Sequence, residues 1–289
     1  MSRLPITKTP KPYVGGAFIR SESGRTFPLS DAAGNFFANL PQCTRKDLRN
    51  AVEAAAKAGP GWAKRTAYNR GQILYRLGEM LEARRAEMIE TLVRFGSTKS
   101  AAAKETDVAT DRLIYYAGWA DKYEQVLGNV NPVASPHFNF TVTEPMGVVG
   151  VIAPNEAPLL GLVSLVAPII TSGNTVVALA SEKTPYPAIL LGEMLATSDL
   201  PGGVVNLLTG FRKEMVPTFA THTHLRAISA AGVSADERKA LRLGAAESVK
   251  RVRFADATKN AEWFADAAQS LYAIRDTLEF KTTWHPIGA

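Results

Sequence analysis

The sequence predicts an α/β protein built on a Rossmann-like parallel sheet and preceded by a helical segment. Three observations carry this. Val148 to Ile152, Thr175 to Leu179 and Val204 to Leu208 are short apolar runs rich in β-branched residues and bounded by Gly or Pro, the signature of buried strands. An apolar segment opening at Pro158 and ending at Ser172-Gly173-Asn174 lies between the first two runs, with Pro at its start and Gly past its end, as in helices. Pro185 to Ser198 carries Ile189, Leu190, Met194 and Leu195 on helical spacing between the second and third runs. Strand, helix, strand, helix, strand at this spacing is a right-handed parallel unit, the first half of a dinucleotide-type sheet.

The other elements follow in chain order. Met1 to Pro12 is polar and proline-bearing and is expected to be a loose arm. Tyr13 to Ile19 and Arg25 to Leu29, separated by Ser21-Glu22-Ser23-Gly24, are expected to pair as a hairpin. Thr44 followed by Asp47 marks a helix start, Ala51, Val52, Ala55 and Ala56 form its apolar face, and Pro60-Gly61 is expected to end it. Trp62 to Val93 reads as one long helix, with Ile73, Leu74, Leu77, Met80 and Leu81 on one side and a break at Phe95-Gly96-Ser97. Ser100 to Val126 is a third helix, Asn129 to His137 a loop, and Phe138 to Thr143 a half-exposed alternating strand.

Beyond the central unit, Glu214 to Thr221 is helical and Leu225 to Ser229 is a fourth strand. Ser234 to Glu247 is a helix opened by a capping box of Ser234 and Glu237. Val249 to Phe254 is a fifth strand, Asn260 to Arg275 a helix with Phe264, Ala268, Leu271 and Tyr272 on one side, and Thr277 to Thr283 a last strand.

Composition narrows the function. The 289 residues include 46% hydrophobic and 21% charged, which is ordinary for a globular chain. A net charge of +6 is spread along the sequence without an aromatic-interleaved basic block, so no nucleic-acid partner is expected. Cys43 is the single cysteine, which excludes an internal disulfide and a thiolate metal site, and the four histidines are scattered, so no metal is expected. Leu159 to Ile170, the longest apolar run, is too short to span a bilayer, and Met1 to Pro12 has no apolar signal core. No membrane association is expected, and a cytoplasmic location is the default reading.

Glu144-Pro145-Met146-Gly147 through Pro154, then Ala167 through Pro185, then Ser198 through Gly210, resemble the nucleotide-binding half of an aldehyde dehydrogenase. The resemblance runs from Tyr13 to Arg253. It implies a dinucleotide-binding core over residues 146–257, with a hairpin and helices packed on it over 1–137. It also implies an oligomerisation arm strand over 138–145, and a C-terminal helix and arm strand over 258–289. By its alternation alone, the strand at 138–143 would serve equally as a sheet edge.

The family's reaction needs a thiolate, an oxyanion donor, a general base and a bound nicotinamide. The family's thiol lies in a second domain. The residues after Val252 are too few for one and hold no cysteine, so the catalytic domain is expected to be missing here, and Cys43 reads as an ordinary small apolar residue. Glu156 holds the place of the family's asparagine donor, and a carboxylate accepts hydrogen bonds without donating. It is expected to charge a helix N-terminus instead. Ala255 falls where the resemblance puts the general base, with Asp256 beside it. No catalytic residue is therefore assigned.

For cofactor binding the resemblance retains Pro154, Glu182, Gly210 and Gly232. Leu179 replaces a ribose-binding lysine, and Ala230 stands in the pyrophosphate turn, where a Cβ would disfavour positive φ. NAD binding is expected to be weak at best. Leu278 to Pro286 resembles the tail of the shortened, thiol-less second copy found in two-part aldehyde dehydrogenases. The expected function is a non-catalytic, pseudoenzyme-like subunit that forms a homo-oligomer or a hetero-oligomer with a complete aldehyde dehydrogenase. The arm strands and Ser234 to Gly244 would make the contacts. The alternatives are an NAD(P)-dependent dehydrogenase that borrows a partner's thiol, and an NAD-binding sensor.

Overall fold

The structure, a computed structural model, describes residues 8–255 and 260–288. The expected loose arm therefore lies outside the described residues up to position 7, and Asp256 lies outside them too. The chain opens with β1 (Tyr13–Val14) and β2 (Ala17–Phe18), joined through Gly15 and Gly16 at φ 63° and 87°. These values suit the two-residue turn of a tight hairpin. β3 (Thr26–Ser30) pairs with β4 (Phe36–Pro41) as a separate two-stranded sheet. The expected pairing of 13–19 with 25–29 is thus corrected. Tyr13 also pairs with Leu207 in the main sheet, a distant contact that local alternation does not encode.

α1 (Arg45–Ala63) begins at a full capping box of Thr44 and Asp47. It runs through Pro60 instead of ending there. Trp62 anchors the last turn by donating its indole N–H to the Ile170 carbonyl at 2.9 Å. The expected single helix over 62–93 is two, α2 (Ala67–Ala83) and α3 (Arg85–Arg94). Thr66 caps the first by accepting from the Asn69 amide, and Arg84, at φ −108° and ψ 19°, breaks the second away. α4 (Lys99–Trp119) and α5 (Tyr123–Leu127) divide the third expected helix.

The segment expected to be a loop contains β5 (Asn129–Asn131), which pairs with β6 (His137–Pro145). The parallel unit follows as β7 (Val148–Ile152), α6 (Leu160–Thr171), β8 (Thr175–Leu179), α7 (Tyr186–Leu195) and β9 (Val205–Leu208). Next come α8 (Arg212–Thr221), β10 (Leu225–Ala231), α9 (Ala235–Ala246) and β11 (Arg251–Ala255). The expected helix over 260–275 is broken into α10 (Asn260–Trp263), a 3₁₀ turn at Asp266–Ala268 and α11 (Leu271–Arg275). β12 (Leu278–Pro286) closes the chain, pairing with β6 over nine residues.

The main sheet has the order β11-β10-β7-β8-β9-β1-β2, and β7 to β11 are mutually parallel. Val149, Val151, Val176, Ala178, Val205 and Leu207 face a core shared with α2, α4, α6 and α7. Val148, Ile152, Val177, Leu179 and Leu208 face the opposite core, built with α1, α8 and α9. Both faces are covered, so the central strands β7 and β8 are apolar apart from Thr175. After β9 the chain crosses to the far side of β7 to lay down β10. The strand order reverses there, and open α/β sheets bind ligands in the crevice beyond that reversal.

Candidate functional site

The crevice lies at the C-terminal ends of β7 and β10. Ala153 and Pro154 leave β7 on one wall, and Gly232 leaves β10 on the other, at φ 60°. The walls touch: a Cβ on Gly232 would sit 3.5 Å from the Pro154 Cα and 3.4 Å from Glu156 Oε2. Ala230 is not in this turn. It pairs with Ile152 and Phe254 inside β10, so the expected φ penalty does not arise, and the turn is made at Gly232 alone.

Arg212, the first residue of α8, fills the gap. Its guanidinium donates from Nη1 to the Gly232 carbonyl at 2.6 Å and from Nη2 to the Ala153 carbonyl at 2.5 Å. It is 6% exposed, forms no ion pair among the described residues, and leaves Nε buried without a partner. Its backbone N–H donates to Glu182 Oε2 at 2.7 Å. Glu182 and Gly232 thus both bond to one residue, Arg212, that sequence reasoning missed. The available signal was a basic residue two positions after Gly210, at the sheet edge where open backbone amides would receive phosphate.

Helix and turn starts at this edge are likewise held internally. Glu105 Oε1 accepts from the Leu159 and Leu160 amides, 2.9 and 3.2 Å away, at the start of α6. The role expected of Glu156 is therefore taken by Glu105, 4% exposed on α4, whose carboxyl burial pushes up against the pull of those amides. Before α7, the Lys183 amide donates to Asn155 Oδ1 and the Thr184 amide to the Ser181 hydroxyl. The Ser181 hydroxyl in turn donates to Asn155 Oδ1 at 3.0 Å, so that oxygen accepts from both Ser181 and Lys183. Glu182 covers α8, and Ser234 and Glu237 form the box at α9.

Cys43 lies behind the crevice. Its backbone N–H donates to the Thr209 carbonyl at 2.9 Å, and its own carbonyl would stand 3.2 Å from a Cβ on Gly210, which has φ 153°. The side chain is fully buried among Leu48, Ile152 and Leu208. Burial pushes its thiol up to about 12, so no thiolate forms near neutrality. Ala255 ends β11 opposite Ala231 and offers no titratable group.

A dinucleotide needs open helix amides and free space at the strand ends. The residues present here do not fit one, since the amides of Leu159, Leu160 and Arg212 are held by carboxylates and the Arg212 guanidinium bridges the Ala153 and Gly232 carbonyls. A cleft of about 500 Å³ lies elsewhere, lined by apolar Leu165, Ile169 and Phe280 and by Arg251, Arg253 and Arg275, and its one carboxylate, Asp276, is paired with Arg253. Among the described residues, no group of three His, Cys, Asp or Glu is placed to hold a metal, and no helix is long and apolar enough to cross a membrane.

The sequence matches the model of the aldehyde dehydrogenase family over residues 18–283. It is 33% identical over 245 residues to an aldehyde dehydrogenase of Alternaria alternata, covering 83% of this chain and 48% of that protein. It is 35% identical over 232 residues to retinal dehydrogenase 2 of Gallus gallus, covering 78% and 44%. The structure superposes on an NAD+ complex of an aldehyde dehydrogenase from Bacillus cereus with a TM-score of 0.80 and 26% identity, over 86% of this chain and 50% of that one. The chain spans about half the length of the curated relatives it matches.

Proposed function

The chain belongs to the aldehyde dehydrogenase family, and from that premise we propose that it acts as a non-catalytic subunit, assembling with itself or with a complete aldehyde dehydrogenase. The observation that carries this is Cys43. An aldehyde carbonyl is attacked by a thiolate, and the single sulfur nucleophile of this sequence is sealed in the core with its thiol pushed up to about 12. The surroundings agree. By the resemblance, Glu156 stands where the family's asparagine would donate to the developing negative charge, and a carboxylate donates nothing. Loss of an oxyanion donor alone lowers a rate by about 10²–10³.

The assembly role draws support from the arm. β6 is paired on one side by β12 and on the other by β5, and the resulting sheet leaves Phe138, Val142, Phe280 and Trp284 exposed. Lys281 and Glu144 form an ion pair across it. Rings held outward on a well-paired sheet suit a contact with another chain. On α9, Leu243 is 61% exposed and suits the same purpose.

The test has two parts. The purified chain, given NAD+ and a panel of short and aromatic aldehydes, is expected to produce no NADH above the buffer rate, with Cys43→Ser indistinguishable from it. Turnover that Cys43→Ser abolishes would overturn the reading. Affinity purification from the native host is expected to recover either a homo-oligomer or an aldehyde dehydrogenase. A lone monomer at every salt concentration would count against assembly.

A further inference from the structure

We propose that Arg212 is a built-in occupant of the dinucleotide crevice, so that the chain excludes adenine nucleotides by filling their seat with its own side chain. The crevice sits where the strand order reverses, between the ends of β7 and β10. The Arg212 guanidinium spans it from wall to wall, donating to Ala153 on one side and Gly232 on the other. An approaching diphosphate finds the amides of Leu159, Leu160, Lys183, Arg212 and Ser234 already held, by Glu105, Asn155, Glu182 and Glu237.

An anion-binding role for the same arginine is the competing use, and the geometry opposes it. A guanidinium that captures phosphate presents its N–H fork to solvent or to the ligand. Here two N–H groups are committed to strand-end carbonyls, and the partnerless Nε is sealed from solvent. Glu182, which a ribose hydroxyl would need, is bound to the Arg212 amide from the same helix start. The plug and the ribose contact therefore belong to one assembly. Release of the side chain would free the Ala153 and Gly232 carbonyls beside Pro154, while Glu182 keeps its bond to the Arg212 amide.

The inference rests on the crevice alone, not on the assembly role, so either can fail without the other. The experiment titrates ADP into the full chain by calorimetry and follows thermal unfolding with and without ADP. Wild type is expected to show no saturable binding below millimolar ADP. Arg212→Ala is expected to gain affinity by about tenfold or more and to be raised in melting temperature by ADP where wild type is not. Arg212→Met keeps the aliphatic stem and drops both donors. It is expected to give the same gain with less disturbance of folding. Micromolar ADP binding by wild type would overturn the inference outright. So would a loss of affinity in either variant, which would make Arg212 a ligand hook, or folded variants whose affinity matches wild type.

Discussion

The crevice end of the sheet and the β5-β6-β12 arm are opposites in what they leave unsatisfied. At the crevice, polar groups are turned inward: carbonyls of Ala153 and Gly232 onto Arg212, amides of Leu159 and Leu160 onto Glu105, and the Arg212 amide onto Glu182. On the arm, β6 is paired along one side by β12 and in part along the other by β5, and the sheet exposes apolar rings, with Trp284 at 57% exposure and Phe138 at 45%. A small-molecule site needs free donors and acceptors, whereas a docking surface needs apolar area without a partner. By that measure the proposed assembly role falls to the arm and not to the crevice.

The largest expected effect comes from unmaking the inward closure at α6. Glu105→Ala would leave two buried amides without an acceptor, and unfolding in urea is expected to show a loss of about 3 kcal/mol. Glu105→Gln retains a carbonyl acceptor and is expected to lose about half as much. If Glu105→Ala stayed within about 0.5 kcal/mol of wild type, the edge would be open after all, and the contrast with the arm would fail.

Next in size is the joint between the two regions. Asn174 is fully buried. Its Oδ1 accepts from the Gly147 amide at 2.8 Å, where β6 hands over to β7, and its Nδ2 donates to the Thr277 carbonyl at 2.8 Å, just before β12. One side chain thus pins both roots of the arm to the sheet. Asn174→Ala is expected to cost about 2 kcal/mol and to speed proteolytic cleavage near residues 145 and 277. Equal loss of stability with no change in cleavage would mean that Asn174 braces the sheet alone.

Much of the sheet was legible in the sequence because its signals are local. Thr44 with Asp47, Ser234 with Glu237, and the apolar runs at 148–152 and 175–179 depend on neighbours a few residues away. What was not legible depends on distant partners. β1 turns back on β2 and joins β9, a choice made by Tyr13 meeting Leu207, and β4 carried no strand signal strong enough to claim β3. The break at Arg84 has no Gly or Pro to announce it, and Arg84 is held by Glu87 and by Glu193 on a distant helix. Arg212 shows the limit most plainly. An arginine opening a helix reads as solvated, and its burial follows only once the topology brings Ala153 and Gly232 together.

The acid response sharpens the comparison within the crevice. Burial raises the Glu105 carboxyl, so its folded value lies above its unfolded one, and the stability it contributes is full below the ordinary glutamate range and is lost as pH rises through the raised value. Asp107, two positions away on the exposed side of α4, runs the other way. Its bond to Arg85 lowers it, and that contribution is present at neutrality and lost as pH falls through the depressed value. The margin of wild type over Glu105→Gln is therefore expected to widen as pH falls from neutrality toward the glutamate range. The margin over Asp107→Asn is expected to stay level over that range and to narrow only below the ordinary aspartate range. Denaturant midpoints for the three proteins from neutrality downward would show it, and a Glu105→Gln margin that stays level to the glutamate range would contradict the assignment.

The smallest expected change in stability is on the arm, and it separates a docking surface from a structural one. Trp284 packs edge-on against His137 with ring centroids 5.8 Å apart, and more than half of it stays in contact with solvent. Removing a side chain that folding leaves so exposed forfeits little burial, so Trp284→Ala is expected to keep unfolding free energy within about 0.5 kcal/mol. Its effect is expected in association instead. Tryptophan anchors on such patches carry a large share of interface energy, and sedimentation or pull-down should show binding weakened by about tenfold. The pairing of β6 with β12 runs from Pro145 with Leu278 to His137 with Pro286, and it holds the backbone in place without the indole. A stability loss as large as that of Asn174→Ala, with association unchanged, would instead make the arm part of the fold's own support and leave the exposed rings without a purpose.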